Sequence, residues 1–80
     1  MICHIDHFEL MAARRGVTGD CDGPLALVYQ ADDDGRQRVY TVCTSHARQL
    51  VCFVDRVAFP AEGIESDRWG DRPIQRVVAA

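Results

Sequence analysis

The sequence predicts an α+β domain in which a β-hairpin packs against two helices. Three observations carry that reading. LALVYQA and QRVYTVC, residues 25–31 and 37–43, are strand-like runs on either side of an Asp34-Gly35 turn. Apolar residues recur at helical spacing over residues 5–15 and again over 45–56. Eighty residues make one domain, residues 1–80, with a modest core.

The first helix is expected over IDHFELMAARR. Ile5, Phe8, Met11 and Ala12 form its stripe, acidic Asp6 and Glu9 lie near its start, and Arg14 and Arg15 near its end. Gly16 is a natural stop. Turn formers crowd VTGDCDGP, with Cys21 in their midst. The hairpin strands are rich in Val, Tyr and Thr, which favour a pleated surface. Alternation places Ala26, Val28 and Gln30 on one face and Leu25, Leu27, Tyr29 and Ala31 on the other. Neither face is cleanly polar, so both are expected to be partly covered. The second helix is expected over SHARQLVCFVDR, with Thr44 or Ser45 as its cap. Residues 57–73 contain Pro60, Gly63, Gly70 and Pro73 and read as a long loop; residues 74–78 read as a short strand or one helical turn.

Composition narrows the function. Net charge is −3, which disfavours nucleic acid as a partner. All nine basic residues are Arg, a bias of GC-rich genomes such as actinobacterial ones. The N-terminus shows no secretory pattern, and no run is long and apolar enough to span a membrane, so a cytoplasmic protein is expected. In a reducing compartment its four cysteines favour metal or thiol chemistry over disulfides.

The chemistry concentrates at VYTVCTSHARQLV, where Cys43 and His46 straddle a strand-to-helix step. Closing the hairpin brings Cys21 beside Cys43, so three thiolate or imidazole ligands converge. This arrangement resembles a treble-clef or zinc-ribbon-type domain over residues 21–56. Pro24 stands where that pattern places a second cysteine after Cys21. The resemblance implies a structural Zn²⁺ held by Cys21, Cys43 and His46, with a fourth ligand from elsewhere. Cys3 is the first candidate for that place, and His4 and His7, one helical turn apart, are alternatives. Cys52 points away from the helix start and reads as core. Each candidate also has a plainer reading: a buried strand cysteine for Cys43, an exposed first-turn residue for His46, and a solvated helix face for His4 and His7. Asp32, Asp33 and Asp34 read as a solvated turn, since the calcium-loop spacing is not completed.

Enzyme function is not expected. A Cys–His pair lacks a third, orienting group at any recognisable spacing, and redox C-x2-C and phosphate-binding glycine loops are absent. The leading expectation is a small cytosolic zinc module acting in protein–protein interaction through Trp69, Phe59, Arg68 and Arg72. The alternatives are a nucleic-acid-binding zinc regulator, using Arg36, Arg38 and Tyr40, and a metal-free dimeric interaction domain.

Overall fold

The computed structural model describes residues 3–8, 16–17, 19–69 and 72–77. Five strands form one antiparallel sheet: β1 (Leu25–Ala31), β2 (Gln37–Cys43), β3 (Arg56–Phe59), β4 (Ile64–Trp69) and β5 (Arg72–Val77). Their spatial order is β2-β1-β3-β4-β5. One short α-helix, α1 (Thr44–Leu50), and a 3₁₀ turn over Ile5–Phe8 complete the described structure.

The hairpin forms where the alternation placed it. Leu25 pairs with Cys43 and Ala31 with Gln37. Its connection turns on Gly35, which adopts a φ of 81°. Asp32 organises that turn: its Oδ1 accepts the Asp34 and Arg36 amides at 3.0 and 2.9 Å, and its Oδ2 accepts Arg38 Nε. The arginine and these amides hold the Asp32 carboxyl below the usual carboxylate range.

The predicted architecture of a hairpin against two helices, with a treble-clef-like core, is incorrect. The hairpin supplies two of five strands. The second helix ends at Leu50 rather than continuing to residue 56: the Phe53 amide bonds the Leu50 carbonyl in a tighter i→i−3 turn. The first predicted helix is described only at Ile5–Phe8, as a 3₁₀ turn; its remainder lies outside the described residues. The long loop expected over 57–73 is strand and turn at its described residues, with residues 70 and 71 lying outside them. Pro60 and Gly63 sit in the β3–β4 connection, where the Phe59 carbonyl accepts the Glu62 and Gly63 amides. Pro73 lies on β5, an edge strand, where a missing N–H is tolerated. The residues that read as loop formers therefore separate strands or mark an edge.

The chain leaves β2 at one edge, crosses β1 through α1, and enters β3 on the other side. That crossover builds the core. Ala26 and Val28 of β1, Val42 of β2 and Val57 of β3 meet Ala47, Leu50 and Val54 from the α1 region, all fully buried. Phe8 closes one side, with its ring edge-on to Tyr40 at 5.2 Å. Asp55 fixes the start of β3: its amide bonds the Tyr29 carbonyl, and its carboxylate accepts the Ala31 amide at 2.9 Å. The opposite sheet face carries Val39 and Ile74, which are 53% and 47% exposed.

Candidate metal centre

Cys3, Cys21, Cys43 and His46 each present a ligand atom to one point, and the four atoms lie within 4.8 Å of one another. Three separate pieces of chain bring them there. Cys43 is the last residue of β2 and immediately precedes α1. His46, three residues on, shares its side of the helix, and its Nδ1 lies 3.0 Å from Cys43 Sγ. The loop bearing Cys21 is tied to the same junction. The Thr44 amide donates to the Pro24 carbonyl at 3.0 Å and the Ser45 amide to the Asp22 carbonyl at 3.2 Å. These bonds satisfy two amides that the first turn of a helix leaves open.

Cys3 arrives along the edge of β2. The His4 amide donates to the Thr41 carbonyl at 2.7 Å, and His4 Nδ1 lies 2.9 Å from Thr41 Oγ1. Cys3 Sγ then accepts the Cys43 amide at 3.2 Å. Of the alternatives for the fourth position, His4 is turned to Thr41 and the His7 side chain lies outside the described residues. Cys52 lines a separate hollow with Arg48, Phe59 and Ser66.

The dimensions suit a tetrahedral ion. Zn–S bonds of ~2.3 Å and a Zn–N bond of ~2.0 Å imply S···N separations of ~3.5 Å. Around His46 Nδ1, Cys43 Sγ stands at 3.0 Å, and Cys3 and Cys21 Sγ both stand at 3.8 Å. The outer nitrogen fixes the histidine's tautomer. His46 Nε2 lies 2.6 Å from the Gly19 carbonyl, which can only accept, so Nε2 carries a hydrogen. In the neutral ring Nδ1 is then the lone-pair nitrogen and faces the sulfurs. A backbone carbonyl orienting a metal-binding imidazole in this way is a common supporting feature of such sites. Sequence reasoning missed Gly19, and no local pattern marks a carbonyl acceptor.

Without metal, the cluster shares its protons unevenly. Burial works against ionising Cys3, but the Cys43 amide and His46 outweigh it and lower the thiol to about 7. Cys21, hydrogen-bonded to Cys3 and close to Cys43, is raised to about 11 and keeps its proton. Burial opposes charging His46, yet the bonds to Cys3 and Gly19 raise it above its ordinary value. A divalent ion must therefore displace the Cys21 proton at neutral pH. Zinc affinity is expected to rise with pH, and binding at pH 7 is expected to release protons. Calorimetry in buffers of different ionisation enthalpy measures that release, and a buffer-independent heat would contradict it.

Gly23 holds the Cys21 loop against α1. Its φ is +82°, and a Cβ there would stand 3.0 Å from Thr44 Cβ. Gly23→Ala is expected to cost ~1–3 kcal/mol and to weaken metal binding, because both penalties fall on the loop that carries a ligand. Thermal unfolding of the zinc-loaded variant measures the effect.

The chain matches no protein-family model, and neither the curated proteins nor the solved structures yield a match. The class of site is therefore defined by its own donor set: three sulfurs and one imidazole nitrogen, drawn from a β-sheet edge, a loop and a helix start. No described helix is long and apolar enough to cross a membrane.

Proposed function

We propose that this chain is a cytoplasmic module stabilised by a structural Zn²⁺ on Cys3, Cys21, Cys43 and His46, and that it works by binding another protein. One observation carries the zinc reading: a Cys₃His set within 4.8 Å offers four donors, the number that a tetrahedral structural zinc takes. Catalytic zinc sites keep one position open for water or substrate, so the donor count favours a structural role. Clamping three chain segments also suits a domain whose core rests on a few Val, Ala and Leu side chains.

The interaction reading is supported by the open sheet face. Val39 and Ile74 are exposed there, and Arg56 lies over the Tyr29 ring at 3.9 Å. Aromatic and arginine side chains are enriched at interface hot spots. Of the residues expected from sequence to bind a partner, the side chains of Phe59 and Arg68 are described. Phe59 is 2% exposed and belongs to the core. Arg68 pairs with Asp55 at 3.8 Å, and the Trp69 and Arg72 side chains lie outside the described residues. Nucleic acid is less well supported, because Arg38 is paired with Asp32, and Arg76 with Glu65 and Asp67.

Native mass spectrometry of protein purified without added zinc tests the metal reading. One zinc per chain is expected, with loss of fold when a chelator removes it; a metal-free chain that stays folded would overturn it. For the interaction, Val39→Asp with Ile74→Asp is expected to abolish partner capture while leaving zinc stoichiometry unchanged. Capture that survives both changes would move the interface off this face.

A further inference from the structure

The three cysteines of the cluster differ sharply in their access to solvent. Cys43 is 3% exposed, Cys3 is half-buried, and Cys21 is exposed. An open hollow of about 640 Å³ is lined by Cys3, Cys21 and Cys43 together with Gly23 and Pro24. A small oxidant can reach the sulfurs through it. Metal-bound thiolates are nucleophilic, and susceptibility to oxidation follows thiolate character and exposure.

We propose that the site is an oxidation-sensitive latch, in which hydrogen peroxide joins Cys3 to Cys21 as a disulfide and expels the zinc. The inference rests on the zinc reading above. The Cys21 thiolate attacks peroxide, the O–O bond breaks, and Cys21 becomes a sulfenic acid with release of hydroxide. The Cys3 thiolate then attacks the Cys21 sulfur, the S–O bond breaks, and a second hydroxide leaves. Two thiolates have lost one electron each, one peroxide has been reduced by two electrons, and zinc keeps its oxidation state. Cys43 and His46 alone cannot hold the ion as four ligands did.

Backbone anchorage chooses Cys3 over Cys43 as the partner. A disulfide needs its sulfurs at ~2.05 Å, so two sulfurs within 4.8 Å of each other must still approach. Cys43 is paired with Leu25 in the sheet and leads directly into α1, so its backbone is fixed on both sides. Cys3 and Cys21 lie outside the strands and helix, and isolated backbone bonds at His4, Asp22 and Pro24 hold their segments rather than a strand ladder. Cys52 is outside the cluster and serves as an internal control.

The test treats the zinc-loaded chain with hydrogen peroxide beside a colorimetric zinc indicator. The expected result is release of one zinc per chain, loss of two free thiols, and a mass lower by two hydrogens. Trypsin cuts at Arg14 and Arg15, so the product should contain the Cys3 and Cys21 peptides joined. Reductant with zinc should restore the starting state, and Cys52→Ser should behave like the parent chain. Zinc that stays bound while peroxide is consumed at Cys52 would overturn the latch, as would a disulfide to Cys43 or sulfinic acid without a disulfide. Zinc content is measured before peroxide is added: its absence at that step overturns the zinc reading and the latch together, whereas bound zinc indifferent to peroxide overturns the latch alone.

Discussion

Cys43→Ala is expected to leave the chain unable to retain stoichiometric zinc and largely unfolded at room temperature. Cys43 is the candidate ligand that joins the sheet to the helix: its amide bonds Cys3 Sγ, and its sulfur faces His46 Nδ1 at 3.0 Å. Structural zinc contributes ~10–16 kcal/mol in small zinc-binding peptides, whereas whole domains are stable by only ~5–15 kcal/mol. A chain that no longer retains the ion loses that whole contribution, which is comparable to the domain's entire stability. Far-ultraviolet circular dichroism with metal analysis reads both effects. Cys52→Ala is the control and should keep both fold and zinc, because Cys52 lies outside the cluster. A Cys43→Ala chain that melts like its parent would return Cys43 to the plainer role of a buried strand residue.

The second large effect is expected at Leu50. Its side chain is fully buried where α1 meets the sheet, among Val28, Val42 and Val57. Truncation to alanine leaves a cavity, and such changes cost ~2–5 kcal/mol. For a domain of this length that corresponds to a melting temperature lower by roughly 10–30 °C. Leu50 also stands one helical turn after His46, so the loss loosens the platform on which the imidazole sits. Zinc stoichiometry should nevertheless remain one per chain below the transition, since no ligand has been removed. This separates packing from ligation: Leu50→Ala lowers the melting point with metal bound, and Cys43→Ala removes the metal itself.

The hairpin was legible because its signals are local. Two alternating runs and an Asp-Gly turn require no partner to be recognised, and the observed pairing from Leu25–Cys43 to Ala31–Gln37 follows from them. The convergence of Cys21 on Cys43 was legible for the same reason, as the two ends of one hairpin. The second half of the sheet was not. Arg56–Phe59 is only four residues long, and IESDRW and RPIQRV are too polar to announce themselves as strands. Their place comes from pairing with neighbours already in register: Val57 lies between Val28 and Ser66, and Ser66 beside Gln75. Pro and Gly were misread because they punctuate strands as readily as they fill loops. The C-terminal limit of α1 was similarly non-local. The apolar stripe continues through Val51 and Val54, but those side chains enter the core from a turn.

Among the candidate ligands, the placement of Cys3 depended on contacts that sequence does not display. A cysteine forty residues from its neighbour in space gives no spacing signal. What places it is the backbone bond from His4 to Thr41, an edge-of-sheet interaction available to many sequences. The Gly19 carbonyl that orients His46 is equally silent, because a backbone acceptor carries no residue signature.

The central claim, a structural zinc held by Cys3, Cys21, Cys43 and His46, is tested most directly by zinc K-edge X-ray absorption on protein purified without added metal. Three sulfurs at ~2.3 Å and one nitrogen at ~2.0 Å are expected around each zinc. A first shell rich in oxygen or nitrogen, or protein that carries no zinc to measure, would contradict it.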